Sequence, residues 1–214
     1  YNMSAALFVV TGWPGKGSSR PMGEHQRVNS YAHHQSMEMI RDETLRDEVV
    51  MRWSELKQAE DRGIFQLETH SHSHGAWWAE ASRRAVLASF KHDLEQTIGC
   101  FREMLGRPPT QYCWPKGQFT RTIHHEVANS GLNVQHSTLR GSNHGGERDV
   151  LVRRIKMENE PISRFAARLR LYTRPHISKV PALIHQNLHS YRMQRQFGSL
   201  MSSADVHLPK FRLY

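Results

Sequence analysis

Cysteine is scarce in this sequence. Its 214 residues contain two, Cys100 and Cys113, without the paired spacing of a zinc site, so neither a disulfide framework nor a cysteine-based metal centre is indicated. Long apolar runs are missing as well: no stretch approaches the roughly 18–20 residues a membrane span requires, and no basic segment followed by an apolar one marks a signal peptide. The chain instead enters an apolar run, Ala5 to Val10, within a few residues of Tyr1, as though an element preceding it had been cut away. Acidic residues are scarce at the other end. Beyond residue 150 the sequence holds 12 Lys/Arg against Glu158, Glu160 and Asp205, whereas residues 1–150 hold 17 of each sign. The net charge of +9 therefore belongs to the C-terminal region. The neutral body, and the lack of aromatic residues interleaved with the basic ones, argue against nucleic acid as a partner.

What remains is the composition of an ordinary globular protein, 38% apolar and 23% charged, long enough for one sizeable α/β core or two small domains. The run from Ala5 to Val10 reads as a strand buried on both faces. Residues 14 to 48 read as a long polar loop. Ser54 is a plausible N-cap for a helix through about Arg62, and Ile64 to Glu68 reads as the next strand. The strongest helix spans about 81 to 105, where Val86, Phe90, Leu94, Ile98, Phe101 and Leu105 recur at spacings of three and four and Gly106 closes it. Gln111 to Trp114 reads as a strand, Thr120 to Ser130 as a helix, and Leu132 to Ser137 as another strand. Gly141 to Gly146 is a loop, Val150 to Ile155 a further strand, and Ile162 to Leu171 a helix. This alternation favours a parallel sheet or β/α barrel. Past Pro175 no sustained period survives, so residues 1–175 read as the domain and 176–214 as a basic, irregular tail.

The segment His70-Ser71-His72-Ser73-His74 follows a strand and is the richest in metal-ligand chemistry. In a straight strand His70 and His74 would lie roughly 13 Å apart at 3.3 Å per residue, too far to share an ion. If the chain turns helically at His70, positions i and i+4 come within about 6 Å and share a face, while His72 points elsewhere. His70 and His74 then make two-thirds of a His-His-carboxylate site at a strand's C-terminal end. A solvated, histidine-rich loop is the alternative in a protein with 15 histidines. Trp77 and Trp78, just downstream, could form a sugar-stacking wall or pack in the core, and for at least one of them packing is the expectation.

His-Ser-x-Ser-His after a strand resembles the second motif of the polysaccharide deacetylases (the NodB homology domain), H-[ST]-x-x-H. Ala5 to Gly12 resembles that family's second barrel strand, and Cys113-Trp114-Pro115-Lys116-Gly117 resembles its third motif, R-x-P-[YF]-G. The resemblance covers about residues 1 to 172. It implies a partial (β/α) barrel lacking its first strand, and an activity: metal-dependent hydrolysis of the N-acetyl amide of amino-sugar polysaccharides. A divalent metal, commonly zinc, polarises the carbonyl and activates water there. The resemblance assigns His70 and His74 as metal ligands and the Lys116 backbone amide as oxyanion donor, with Pro115 fixing the turn. Leu183-Ile184-His185 formally matches the last motif, L-x-H, whose histidine is a general acid.

The sequence departs from the family in three places. The motif F-D-D-G, source of the catalytic base and the carboxylate ligand, is missing, and no Asp-Asp pair occurs anywhere. Cys113 replaces the arginine that orients the catalytic aspartate, and Lys116 replaces an aromatic. His185 falls in the aperiodic region, and His124, His125 and His136 read as surface or core residues. Two readings follow: an acetylated-glycan deacetylase, or a deacetylase-like remnant that retains metal or glycan binding without catalysis.

Overall fold

The computed structural model describes residues 4–21, 31–63, 65–143, 150–156, 159–202 and 205. Five strands, β1 (Ala5–Val9), β2 (Phe65–Thr69), β3 (Gln111–Cys113), β4 (Val134–Arg140) and β5 (Val150–Arg154), form one sheet. Their spatial order is their sequence order, and every pairing is parallel. Parallel neighbours require crossovers. These contain the helices α1 (His33–Arg41) and α2 (Trp53–Asp61), then α3 (Arg83–Leu105), then α4 (Arg121–Asn129). Two more helices, α5 (Ile162–Tyr172) and α6 (Pro175–Phe197), follow β5.

Strand alternation divides the sheet into two unlike faces. One face meets the helices. Val9 and Leu67 pack there with Trp53, Leu56 and Phe101. Tyr112, Leu139 and Leu151 pack with Phe90, Leu94, Ile123 and Val127, and with Met193 and Phe197 of α6. The opposite face carries Phe8, Glu68 and His136, and the rings of Phe8 in β1 and His136 in β4 approach to 4.7 Å between centroids. Side chains from the first and fourth strands meet only if the sheet curls towards that face. Unbroken sequential order with inward curl is the geometry of a partial (β/α) barrel. On the inner side the wholly buried Glu68 carboxylate accepts bonds from Gln66 Nε2 (2.8 Å), Thr110 Oγ1 (2.6 Å) and the backbone amides of Thr110 and Gln111 (both 2.8 Å). Those bonds satisfy a charge that burial would otherwise make costly, and they tie β2 to the start of β3.

Element bounds follow the expectations closely in the first 172 residues. The exceptions have local causes. Ser54 is not a cap: α2 begins at Trp53, where Glu55 Oε2 reaches back to the Arg52 amide at 2.9 Å, and Ser54 Oγ instead donates to the Gly17 carbonyl. The long polar segment 14–48 is only partly loop, since α1 and a 3-10 turn at Arg46–Glu48 lie within it. Arg20 holds it down by donating to both carboxylate oxygens of Glu55 and to the carbonyls of Asp47 and Val50. Residues Pro175–Phe197 are helical where irregular chain was expected, and α6 lies against β4. Ile64, expected to begin β2, most of the expected loop from 141 to 146, and the tail residues 203, 204 and 206–214 lie outside the described residues. Among the described residues no helix is long and apolar enough to cross a membrane.

Candidate functional site

All five strands run the same way, so their C-terminal ends share one edge of the sheet, where β/α folds place their chemistry. At this edge β1 continues beyond its last strand residue. His70 donates its amide to the Val9 carbonyl (2.8 Å), Thr11 to Ser71 (2.9 Å) and Gly12 to His72 (3.1 Å). A Cβ on Gly12 would lie 2.7 Å from the His72 carbonyl oxygen, so the two segments approach this closely because residue 12 has no side chain.

The chain then turns sharply. Ser71 (φ 72°) and His74 (φ 58°) occupy the left-handed region, and Gly75 follows at φ 90°. The serines of the motif hold this turn. Ser71 Oγ accepts from the His74 amide at 2.9 Å. Ser73 Oγ donates to Asp93 Oδ2 at 2.5 Å, and that buried carboxylate also accepts from the amides of Ser73 (2.8 Å) and His72 (3.0 Å). Asp93 sits on the sheet-facing side of α3 among Phe90, Leu94 and Thr97. Its role escaped the sequence reading; the available signal was an acid lying within an otherwise apolar stripe.

The turn brings His70 and His74 together, with ring centroids 5.1 Å apart and planes tilted by 59°. His72 takes no part: its Nδ1 lies 3.0 Å from Thr11 Oγ1. His70 Nδ1 is 2.8 Å from the Cys113 carbonyl, a contact that places the proton on Nδ1 and leaves the Nε2 lone pair available as a ligand. A backbone carbonyl makes this contact, so the replacement of arginine by cysteine at 113 does not disturb it. Burial pulls the His70 imidazole below its ordinary pKa, the Cys113 contact opposing. His74 falls to about 4, through burial first and then the neighbouring His70, Lys116 and His33. Both rings are therefore neutral near pH 7, the state metal coordination requires.

The second candidate segment stands opposite. Pro115–Gly117 forms a 3-10 turn after β3, close enough to the first turn that a Cβ added at Gly75 would lie 3.6 Å from Pro115 Cβ. Lys116 has φ 55° and an exposed side chain. Its amide donates no hydrogen bond among the described residues, whereas the following amides of Gly117 and Gln118 bond back to Trp114 and Pro115. Gly117 has no room for any other residue, since a Cβ there would lie 2.1 Å from Thr138 Oγ1. Ser71, His74 and Lys116 are the non-glycine residues with positive φ among the described residues. All three belong to these two facing turns, and backbone strain of this kind concentrates at functional sites.

The remaining candidates lie elsewhere. His185 is on α6, its Nδ1 buried without a hydrogen-bond partner among the described residues. Burial lowers its pKa, and the charges acting on it are those of Arg140, Arg192, Arg153 and Arg154. The structure thus groups His185 with arginines at the ends of β4 and β5 and with Arg192 of its own helix, and none of the groups acting on His70 or His74 is His185. Trp77 and Trp78 are both core residues, packed on Phe90 and Phe197 respectively. His136 is half-buried, with Nε2 2.7 Å from Gln111 Oε1. Among the described residues no group of three or more His, Cys, Asp or Glu converges as a metal site.

No curated protein sequence matches the chain. Among solved structures, the deacetylase domain of BpsB from Bordetella bronchiseptica is 19% identical with a TM-score of 0.48, over 72% of this chain and 61% of that one. A de-N-acetylase from Aggregatibacter actinomycetemcomitans is 14% identical with a TM-score of 0.46, over 56% of this chain and 54% of its own. A polysaccharide deacetylase from Bacillus cereus is 19% identical with a TM-score of 0.46, over 56% of this chain and 37% of its own. The chain therefore spans less than two thirds of each of these relatives. The family model for polysaccharide deacetylase matches residues 1–135, a segment that contains both strained turns and excludes His185. Because that match covers more than half of the sequence, the chain belongs to the polysaccharide deacetylase family.

Proposed function

We propose that this chain forms the metal-binding and oxyanion-binding part of a carbohydrate deacetylase site that hydrolyses the N-acetyl amide of an amino-sugar polysaccharide. The observation that carries the reading is the pairing of His70 with His74 beside the strained Lys116 turn. The two imidazoles fit a divalent metal as far as they go: both are neutral, and the Cys113 carbonyl fixes the tautomer of His70. Nitrogen ligands of this kind favour zinc. When held there, such an ion would supply Lewis-acid chemistry to an amide carbonyl and to water. The chain's own contribution is positional. His70 and His74 would hold the ion, and the Lys116 amide is available to stabilise the oxyanion that forms as water attacks the carbonyl. Pro115 would fix the turn that presents this amide, beside Gly75 of the other turn.

A specific observation favours a second reading, metal or glycan binding without turnover. Hydrolysis also needs a base, and a complete metal centre a third protein ligand. None of the described carboxylates joins the histidine pair, and Asp93, brought beside it by α3, is fully engaged in holding the turn. Acetate release from a hexamer of N-acetylglucosamine, measured with added zinc and then with chelator, separates the readings. The deacetylase predicts chelator-sensitive acetate release that His70→Ala abolishes. Zinc binding with no acetate release would establish the second reading in its place.

A further inference from the structure

Arg153 lies on β5 and is only 6% exposed. Its guanidinium donates to two neutral acceptors, the Arg140 carbonyl (Nη1, 3.2 Å) and Gln186 Oε1 on α6 (Nη2, 2.9 Å). None of the ion pairs found among the described residues includes it. A guanidinium keeps its proton in a protein and offers five N–H donors, so two neutral contacts leave both its charge and most of its donors unanswered among the described residues. Burial alone lowers its pKa, with no acid opposing. Buried charges are otherwise paired.

The surroundings deepen the imbalance. Arg140, Arg154 and Arg192 join Arg153 in acting on His185, and all three are exposed. The described acids of this region are committed elsewhere: Glu160 pairs with Arg168 at 2.9 Å, and Asp205 accepts from Thr122 and Ser202. Arg153 also lines an open cavity of about 570 Å³, whose other polar walls are Ser142, Asn143 and Thr173. Gly141 permits this arrangement, because a Cβ there would meet Arg153 Cδ at 2.6 Å. A role as a strut between β4 and α6 would account for the two hydrogen bonds but not for the charge, since a neutral donor could make both.

We propose that this cavity binds an oxyanion, a carboxylate or phosphate, borne by a sugar of the glycan strand on which the chain acts. The glycan half of that statement rests on the deacetylase reading; the anion half does not. The cavity opens beside Gly141 and Ile155, just past β4 and β5, at the same edge of the sheet as the His70–His74 pair. Arg153 lies on the helix-facing side of β5, with Leu151 and beside Gln186 of α6. It is three strand spacings, or roughly 14 Å along the sheet, from β2, so a glycan that places an acidic sugar in the cavity and another at the histidines runs along the C-terminal edge of the strands. The expected substrate class is thus an anionic, N-acetylated glycan.

Calorimetric titration of the metal-free full chain tests this with four probes: inorganic phosphate, an oligosaccharide alternating N-acetylglucosamine with glucuronate, a neutral N-acetylglucosamine hexamer, and a single-stranded oligonucleotide. The acidic oligosaccharide is expected to bind about tenfold or more tightly than the neutral one, in competition with phosphate and weakening as salt rises. Arg153→Gln should weaken both anions by about tenfold, and Arg153→Lys should recover part of the loss. Equal binding of the acidic and neutral oligosaccharides overturns the proposal, as does an Arg153→Gln protein that binds like the wild type. Tighter binding of the oligonucleotide than of the acidic sugar overturns the glycan assignment. If Arg153→Gln does not fold, the exposed pair Arg140→Gln/Arg154→Gln replaces it, and unchanged anion affinity in that variant counts against the proposal. A chain that releases no acetate in the deacetylation assay leaves these binding outcomes standing, so the two readings fail separately.

Discussion

Ser71, His74 and Lys116 hold backbone conformations that cost roughly 1–3 kcal/mol each for residues with a Cβ. At Lys116 the conformation orients an amide that bonds to no described residue. Lys116→Gly relieves the strain and removes the ammonium while keeping the amide, so it should raise stability by about 1 kcal/mol, measured by chemical denaturation. If the amide is the oxyanion donor, acetate release survives this change; loss of activity would assign the role to the side chain instead. Asp93→Ala acts in the opposite direction. It strands the amides of His72 and Ser73 and releases the Ser73 hydroxyl, which should cost about 1–3 kcal/mol and loosen the histidine pair. An unchanged melting temperature would show that the turn does not depend on α3.

At this scale the motif histidines were legible because their spacing admits so few geometries that bring two of them to one ion. The strain at Lys116 and the role of Asp93 were not. Both arise from contacts between segments far apart in the chain, Gly75 with Pro115 and the 72–73 amides with α3, and no local pattern encodes them.

Among the elements, α3 was the most legible: its apolar residues keep one stripe over six turns, Ser82 caps its start by accepting from Ala85, and Gly106 ends it at φ 72°. Helix α6 shows why such reading fails elsewhere. Ala182, Met193 and Phe197 are buried, yet Ile177, Val180, Leu183, Ile184, Leu188 and Tyr191 are exposed. The exposed apolar residues recur at spacings of three and four on the side opposite the buried ones, so the helix carries two apolar faces that blur any single stripe, and Pro181 lies inside it. Tertiary packing decides here against local signal. Phe197 stacks on Trp78 with centroids 4.4 Å apart, and Phe197→Ala should destabilise the protein by about 3–5 kcal/mol, the usual cost of removing a buried phenyl ring. Denaturation within about 0.5 kcal/mol of the wild type would mean that α6 contributes no stability through this contact.

For the whole molecule, the groups with displaced pKa values set a direction for acid sensitivity. His189, buried against the Phe119 ring, titrates at about 4, mainly through burial and secondarily through His185, Phe119 opposing. His74 also titrates at about 4. Unfolded histidines take up protons near pH 6.5. Between those values the unfolded chain binds more protons than the native one, so stability falls as pH drops from about 6.5 to 4. Glu55 and Asp205 are both held at about 2, Glu55 chiefly by Arg20 and Asp205 by Ser202 and Thr122 against its burial. Their contribution is present above the ordinary carboxylate range and declines as pH falls from there towards 2. Urea denaturation of metal-free protein at pH 7.5 and 4.5 should therefore give a lower midpoint at the acidic pH. A higher midpoint there would contradict the buried, neutral state of these imidazoles.

The architecture itself was readable because alternating strand and helix patterns leave few arrangements besides a parallel sheet. The inward curl was not, since it shows only where Phe8 meets His136 across the sheet. Family membership rests on residues 1–135, and the deacetylase reading requires first that the strained turn hold a metal. Equilibrium dialysis against zinc at pH 7.5, on the wild type, His74→Ala and His72→Ala, tests this most directly. Saturable zinc binding is expected in the wild type and in His72→Ala, with a loss of about tenfold or more in affinity for His74→Ala. Equal zinc binding by the wild type and His74→Ala would contradict the metal-site reading.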